Sequence, residues 1–142
     1  MTIGAIVTNK GDAVINIAAD ATVREAVELL ATKRIGALPV MNGSEVAGIM
    51  SERDVIYCLR SDGPAILDWP VARVMTAPAI TVTRDVAVLA ALSQMTQRRI
   101  RHLPVVEGGS LIGIVSIGDL VKFRMDRIEE EAEAMRAYIT SA

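Results

Sequence analysis

The sequence predicts an α/β protein of the α+β type, built from two strand–helix–strand–strand–helix units and a C-terminal helix. Two observations predict this fold: the chain repeats itself once, and each copy alternates strand-like and helix-like apolar patterns. A three-stranded sheet with two helices on one face leaves its other face bare. We therefore expect the two sheets to pack together about a pseudo-twofold axis.

The repeat appears when the sequence is shifted by 65 positions, which places 15–56 on 80–121 without a gap. Fourteen of these 42 positions are identical, among them Arg34 and Arg99. One dense block joins Ile35 and Leu38-Pro39-Val40 to Ile100 and Leu103-Pro104-Val105. A second block joins Gly48, Ser51 and Asp54 to Gly113, Ser116 and Asp119. This density indicates a tandem duplication.

Each copy begins with a short predicted strand, at 15–18 and 80–83, followed by an amphipathic helix. Asp20 or Thr22 is the expected N-cap of the first helix, the latter in a capping box with Glu25. Asp85 is the expected N-cap of its counterpart.

Two further strands follow in each copy, at 38–41 and 46–50 and at 103–106 and 111–115. The pair Asn42-Gly43 predicts a tight hairpin in the first copy. A second helix is expected to start near Ser51 and near Ser116.

The predicted units are a first repeat with its N-terminal segment at 1–65, a second repeat with its linker at 66–125, and a helical extension at 126–142. The linker begins at Asp62-Gly63-Pro64. In the tail, apolar residues recur with 4-3-4-3-4 spacing at 121, 125, 128, 132, 135 and 139. Either the helix packs back on its own domain, or it self-associates through this seam.

Composition narrows the function classes. With 15 Lys+Arg against 17 Asp+Glu and four scattered aromatic residues, a nucleic-acid surface is not expected. No apolar run approaches the ~18 residues of a membrane span. The single cysteine, Cys58, suits a reducing compartment, and the first basic residue is Lys10, so no charged signal region is expected. A cytoplasmic location is the expectation.

Catalysis has little support in the residues. His102 is the one histidine, and Cys58 has no evident base near it in sequence. Motifs of the Walker A, G-x-G-x-x-G, H-E-x-x-H and C-x-x-C types are absent. Neither an active site nor a metal site is expected.

The repeated Ser-x-x-Asp allows two interpretations. Ser51 and Asp54, like Ser116 and Asp119, can form a helix capping box that needs no ligand. Alternatively, a carboxylate at a strand-to-helix corner can accept two hydrogen bonds from the vicinal diol of a ribose. The helix N-terminus beside it can hold an anion.

The residues ahead of the second Leu-Pro-Val form another candidate cluster. Arg101 and His102 are suited to phosphate, whereas Gly36 and Ala37 at the equivalent positions leave room for a flat base. Arg98 and Arg99 are equally well explained as solvated charges that close a helix.

The repeated pattern of strand, helix, h-x-x-L-P-V, G-h-h-S-x-x-D and helix resembles a tandem cystathionine β-synthase (CBS) domain pair, or Bateman module, over about residues 8–125. Its acidic terminal helix resembles stand-alone bacterial members. The resemblance implies adenosine nucleotides in two clefts between the repeats, with the ribose on Asp54 and Asp119 and with Ser51 and Ser116 near ribose or phosphate.

The resemblance also implies the remaining cleft residues. The Asp119 cleft would use Ile35, Gly36, Ala37, Lys10 and Ile15, with Arg101 for phosphate. The Asp54 cleft would use Thr76, Ile80, Ile100, Arg101 and His102, with Arg53 for phosphate. Since the copies differ at Arg53/Gly118 and at Gly36-Ala37/Arg101-His102, the clefts should differ in affinity.

The sequence thus predicts a non-catalytic regulatory module for signal transduction, a homodimer that binds AMP, ADP, ATP or NAD(H) and acts on an effector protein. The alternative is a protein-interaction or oligomerisation module that works without nucleotide. Which nucleotide binds, whether both clefts fill, and the dimer orientation are left open.

Overall fold

A computed structural model of the chain describes residues 1–11 and 14–141; Ala142, the last residue of the predicted extension, lies outside them. The first repeat contains β1 (Ile17–Ala18), α2 (Val23–Lys33), β2 (Ala37–Asn42), β3 (Glu45–Ser51) and α3 (Glu52–Asp62). The second contains α4 (Val88–Arg98), β4 (His102–Glu107), β5 (Ser110–Ser116) and the start of α5 (Ile117–Ser141). A further helix, α1 (Ile3–Lys10), precedes both. The predicted α/β repeat architecture is confirmed.

The two hairpins are built alike. In the first sheet, β1 lies parallel to β2, and β2 is antiparallel to β3. In the second, β4 is antiparallel to β5, with Leu103 opposite Val115 just as Leu38 is opposite Met50. The equivalent strands β3 and β5 contact each other, so the two sheets meet as the duplication predicts.

Some local features confirm the predictions made from the sequence, and others contradict them. Thr22 and Glu25 form the predicted capping box, and Ser51 and Asp54 form another. Asp85 does not cap α4: the N-cap is Ala87, and the Asp85 carboxylate accepts a hydrogen bond from the Thr83 hydroxyl instead. The first hairpin turns at Gly43-Ser44, because Asn42 still pairs with Glu45.

The predicted strand at 80–83 is the weakest element of the second repeat. Only Val82 pairs there, as an isolated parallel bridge to Val105. Its amide donates to the Pro104 carbonyl and its own carbonyl accepts from Val106. This single bridge holds the segment in place beside β4, although no full strand forms.

Helix α1 was not predicted, since eight residues with no side-chain cap give a weak local signal. It forms because Ile3, Ile6 and Val7 are buried in the core of the second repeat. The linker packs in the opposite core. It contains two short 3₁₀ turns, Gly63–Asp68 and Val71–Arg73. These turns place Ile66 and Val71 in the core of the first repeat. The packing therefore crosses the predicted boundary between 65 and 66.

The described helices include none that is long and apolar enough to cross a membrane. Helix α5 is the longest of them, with 25 residues. Its first turn is anchored by the buried Leu120, and Phe123 packs against the second core. The side chains beyond it are exposed, apart from the half-buried Arg124 and Ala132. Of the two alternatives for the tail, the exposed side chains therefore contradict the one in which the helix packs back on its own domain.

Candidate functional site

Two cavities lie between the repeats, and each contains one aspartate of the Ser-x-x-Asp motif. We call them the Asp54 cavity, of about 460 Å³, and the Asp119 cavity, of about 370 Å³. Both volumes fall in the range of small-molecule sites in proteins.

The two cavities are made from equivalent parts. The Asp54 cavity takes its strand-to-helix corner from β3 and α3 and its opposite wall from 99–102, after α4. The Asp119 cavity takes its corner from β5 and α5 and its opposite wall from 34–37, after α2. Positions 34–37 and 99–102 correspond under the 65-residue shift, so each repeat supplies one part of each cavity.

The glycine in each corner strand lets the chain segment ahead of a repeat approach closely. A Cβ at Gly48 would lie 2.7 Å from the Thr76 carbonyl oxygen. A Cβ at Gly113 would lie 3.1 Å from both methyl groups of Val7. The segment ahead of each repeat thus packs on the corner strand of the other repeat and helps to line the cavity there.

The Asp54 carboxylate caps α3 and faces its cavity at the same time. Its Oδ2 accepts hydrogen bonds from the Ser51 amide at 2.8 Å and the Ser51 hydroxyl at 3.1 Å. Its Oδ1 accepts from the Thr76 hydroxyl at 3.1 Å. A hydroxyl partner of this kind can be exchanged for the hydroxyls of a ligand, so capping and ligand binding are compatible in one side chain.

The Asp119 carboxylate is held by a lysine in place of a threonine. Lys10 Nζ lies 2.7 Å from Asp119 Oδ2 and also donates to the Ile114 carbonyl at 2.9 Å. The Ser116 amide donates to the same carboxylate oxygen at 2.9 Å. Partial burial alone would raise the pKa of Asp119, but the hydrogen bonds from Lys10 and Ser116 and the lysine charge outweigh it, so the pKa lies below its usual value.

His102 lies where the two cavities meet and lines both. A Cβ at Gly36 would be 3.2 Å from His102 Cε1, so the glycine makes room for the imidazole. Partial burial lowers the pKa of His102 below 6.5; the carboxylates of Glu52 and Asp119 oppose this, whereas Lys10 and Arg101 add to it. The fold therefore favours the uncharged imidazole near neutral pH.

The structure brings together most residues that the sequence singled out. The Asp54 cavity is lined by the predicted Ser51, Arg53, Asp54, Thr76, Ile80, Ile100, Arg101 and His102. The Asp119 cavity is lined by the predicted Lys10, Ile15, Ile35, Gly36, Ala37, Ser116 and Asp119.

Arg101 is the exception. It was predicted to serve both clefts, but it lines only the Asp54 cavity. The reason is the pseudo-symmetry: Arg99, Ile100 and Arg101, after α4, line the Asp54 cavity alone, and Arg34 and Ile35, after α2, line the Asp119 cavity alone. The arginine in the Asp119 cavity is Arg34.

Sequence reasoning missed several lining residues. Arg34 and Arg99 end α2 and α4 in the left-handed conformation, with φ of 53° and 54°, and line opposite cavities. Their identity across the repeat was a signal that could have identified them. Tyr57, on α3, and Val7, on α1, carried no comparable signal. Within residues 1–11 and 14–141, no three His, Cys, Asp or Glu side chains cluster as metal ligands.

Two equivalent clefts between duplicated α/β repeats define a class of paired regulatory domains, and the comparisons with known proteins agree. The family model for the CBS domain matches the chain twice, at residues 5–61 and 71–126. The chain belongs to the CBS-domain family, as a tandem pair. Such pairs are generally regulatory and non-catalytic modules.

The relatives include the mitochondrial CBS domain-containing protein CBSX3 of Arabidopsis thaliana, which is 38% identical over 125 residues. That match covers 84% of this chain but 61% of the relative, and for CBSCBSPB1 of the same plant the covered share is 23%. The chain thus spans less than two thirds of these curated relatives.

Solved structures share this architecture over most of the chain. A CBS-domain protein from Burkholderia ambifaria is 35% identical with a TM-score of 0.83, over 89% of this chain and 95% of the other. The CBS domain pair of protein MJ0100, in complex with 5′-methylthioadenosine and S-adenosyl-L-methionine, has a TM-score of 0.78. It is 21% identical, over 89% of this chain and 98% of that one, which establishes a common fold.

Proposed function

We propose that this CBS pair is a non-catalytic sensor that binds an adenosine nucleotide in the clefts between its repeats. The observation that carries the proposal is the pair of equivalent aspartates, each anchored at a helix start and each lining a cavity of nucleoside size. The fold is also one that accommodates adenosine ligands in MJ0100.

Each cleft would hold the ligand in the same way. The ribose hydroxyls donate to Asp54 or Asp119, and the base lies against the apolar residues Ile100 and Ile80 or Ile35 and Ile15. Ser51 and Ser116 lie beside the ribose, at helix N-termini that favour phosphate. A hydrogen bond to a charged acceptor contributes about 1.5–3 kcal/mol.

The two clefts differ in charge. Three arginines, Arg53, Arg99 and Arg101, line the Asp54 cavity. Lys10 and Arg34 line the Asp119 cavity, and Lys10 is already paired with Asp119. We therefore assign ADP or ATP to the Asp54 cavity and a ligand with fewer phosphates, such as AMP, to the Asp119 cavity. NAD(H) is a further candidate because its adenosine half presents the same groups.

Bound nucleotide would change how the repeats pack, and through that the surface offered to an effector protein. The active form is proposed to be a homodimer in the cytoplasm, where the single Cys58 suits a reducing environment.

Calorimetric titration of nucleotide-free protein with AMP, ADP, ATP, NAD and GTP tests the proposal. Asp54→Asn and Asp119→Asn keep a capping oxygen but remove the charge, so each should weaken adenosine binding in its own cleft by roughly 10- to 150-fold. Asp20→Asn, at an exposed position outside both cavities, is the matched control and should bind normally. Unchanged binding in both cleft variants would refute the ribose assignment.

The second candidate is a protein-interaction module that works without nucleotide, and the exposed apolar side chains of α5 favour it. No heat with any nucleotide, combined with stable self-association, would support this candidate over the sensor.

A further inference from the structure

Helix α5 carries an apolar stripe that nothing in the chain covers within the described residues. The α5 seam consists of Val121, Met125, Ile128, Ala132, Met135 and Ile139. Met125 is 56% exposed, Met135 60% and Ile139 65%. Large apolar side chains in one contiguous row on the surface of a domain mark an interaction surface.

The seam is distinct from the face that anchors the helix to its domain. Leu120 and Phe123 pack into the second core, whereas the seam residues lie about 100° around the helix from Leu120. A second helix can therefore lie along the seam while both domains keep their own contacts. The chain exposes 8760 Å², more than the roughly 7,100 Å² expected of a compact protein of this mass.

The charges beside the seam specify the partner. With Met125, Ala132 and Ile139 at heptad position a, position e holds Lys122, Glu129 and Arg136, and position g holds Arg124, Glu131 and Tyr138. In a parallel pair of identical helices, each g residue faces the e residue five positions later in the other chain. Arg124 then faces Glu129 of the partner subunit, and Glu131 faces Arg136 of the partner subunit.

An antiparallel pair of the same helices is disfavoured. With Ile128 opposite Ala132 of the partner subunit, the two Glu129 side chains meet, as do the two Glu131 side chains. Lys122 then approaches Arg136 of the partner subunit. Every e–e and g–g contact of two charged residues in this arrangement is between like charges, which selects against it.

We propose that the α5 helices of two copies of this chain form a parallel, in-register, two-stranded coiled coil. Three heptads are marginal for free peptides. Here the helix start is already ordered by the buried Leu120 and by the Ser116–Asp119 contacts, so nucleation is complete before the partner arrives. The inference specifies the interface of the proposed homodimer and does not depend on nucleotide binding.

Cysteine cross-linking tests the orientation. In a Cys58→Ser background, Ile139→Cys should form a disulfide-linked dimer under mild oxidation, because position 139 faces its own copy in a parallel pair. In the antiparallel pair these positions lie about 27 Å apart, at the two ends of the seam. Ala137→Cys, on the outer face of the helix, is the matched control and should remain monomeric on a non-reducing gel.

Light scattering of variants with a charge introduced into the seam or reversed beside it measures how strongly the chains dimerise. Ile128→Glu should raise the dimer dissociation constant at least roughly tenfold. Arg124→Glu should also weaken the dimer, and adding Glu129→Arg should restore it. Ile128→Glu should still bind nucleotide normally. An error in the coiled-coil proposal can therefore be told apart from an error in the nucleotide-binding proposal.

Two results would overturn the proposal. One is a dimer that is unaffected by Ile128→Glu. The other comes from mixing Val121→Cys chains with Ile139→Cys chains: a disulfide that forms only between the two different variants, and never between two copies of the same variant, would mean that the helices are antiparallel.

Discussion

At the residue scale, one aspartate side chain in each cleft has two roles. Asp54 and Asp119 complete a capping box with the preceding serine and also line a cavity. The two interpretations of the Ser-x-x-Asp motif are therefore not exclusive. The capping contacts hold the carboxylate in place, so the proposed ligand would meet a carboxylate whose orientation is already established.

His102 is the residue whose charge state should be seen in the pH dependence of stability. Its pKa is lowered in the folded chain, first by partial burial, so the fold favours the neutral imidazole. The unfolded chain takes up this proton near pH 6.5 and the folded chain only at lower pH. The stability that the neutral His102 contributes is therefore fully present above pH 6.5, and it decreases as the pH falls below that value.

We expect wild-type protein to lose stability relative to His102→Gln as the pH falls from about 7.5 to 5.5. Urea unfolding of both proteins at each pH measures the difference, and the carboxylates common to both cancel. If the difference in unfolding free energy between the two proteins were the same at every pH, the substitution would have removed packing contacts only. A difference that changes in the opposite direction would show that the pKa of His102 is raised in the fold.

At the element scale, the two corner strands tolerate a side chain to different degrees. Gly48 and Gly113 are equivalent in the repeat, but a Cβ at Gly48 would meet the backbone oxygen of Thr76 at 2.7 Å. At Gly113 it would meet side-chain methyl groups of Val7 at 3.1 Å, a contact that a shift of a few tenths of an ångström relieves.

Gly48→Ala should therefore cost more stability than Gly113→Ala. Overpacking of this kind costs about 1–3 kcal/mol, and we expect Gly48→Ala near the upper end and Gly113→Ala near the lower. The two free energies of unfolding from urea titration provide the comparison, each variant serving as the control for the other. Equal costs would mean that the Thr76 backbone shifts away from an added Cβ as easily as the Val7 side chain does.

At the scale of the whole molecule, the segment ahead of each repeat completes the core of the other one. Helix α1 contributes Ile3, Ile6 and Val7 to the second core, and the linker contributes Ile66 and Val71 to the first. The two repeats are interlocked rather than merely adjacent, so unfolding should be a single transition.

Ile3→Ala tests this interlocking. Although Ile3 lies at the start of the chain, it is 0% exposed, so its truncation should cost about 2–5 kcal/mol. Ile66→Ala, at an equally buried position in the linker, should cost a similar amount. Thr8→Ala, on the exposed face of α1, is the control. A loss below about 1 kcal/mol for Ile3→Ala would mean that α1 detaches without affecting the core.

The sequence alone determined the duplication, the order of helices and hairpin strands within each repeat, and the aspartates at the helix starts, because these depend on local patterns: apolar periodicity, capping residues and identity between copies. Only the tertiary structure decided that α1 forms and that Asp85 accepts a hydrogen bond from Thr83 instead of capping α4. It also decided that Arg34, and not Arg101, lines the Asp119 cavity. Each depends on which segment packs against which repeat. A pseudo-twofold axis brings together residues far apart in sequence, and no local pattern encodes that pairing.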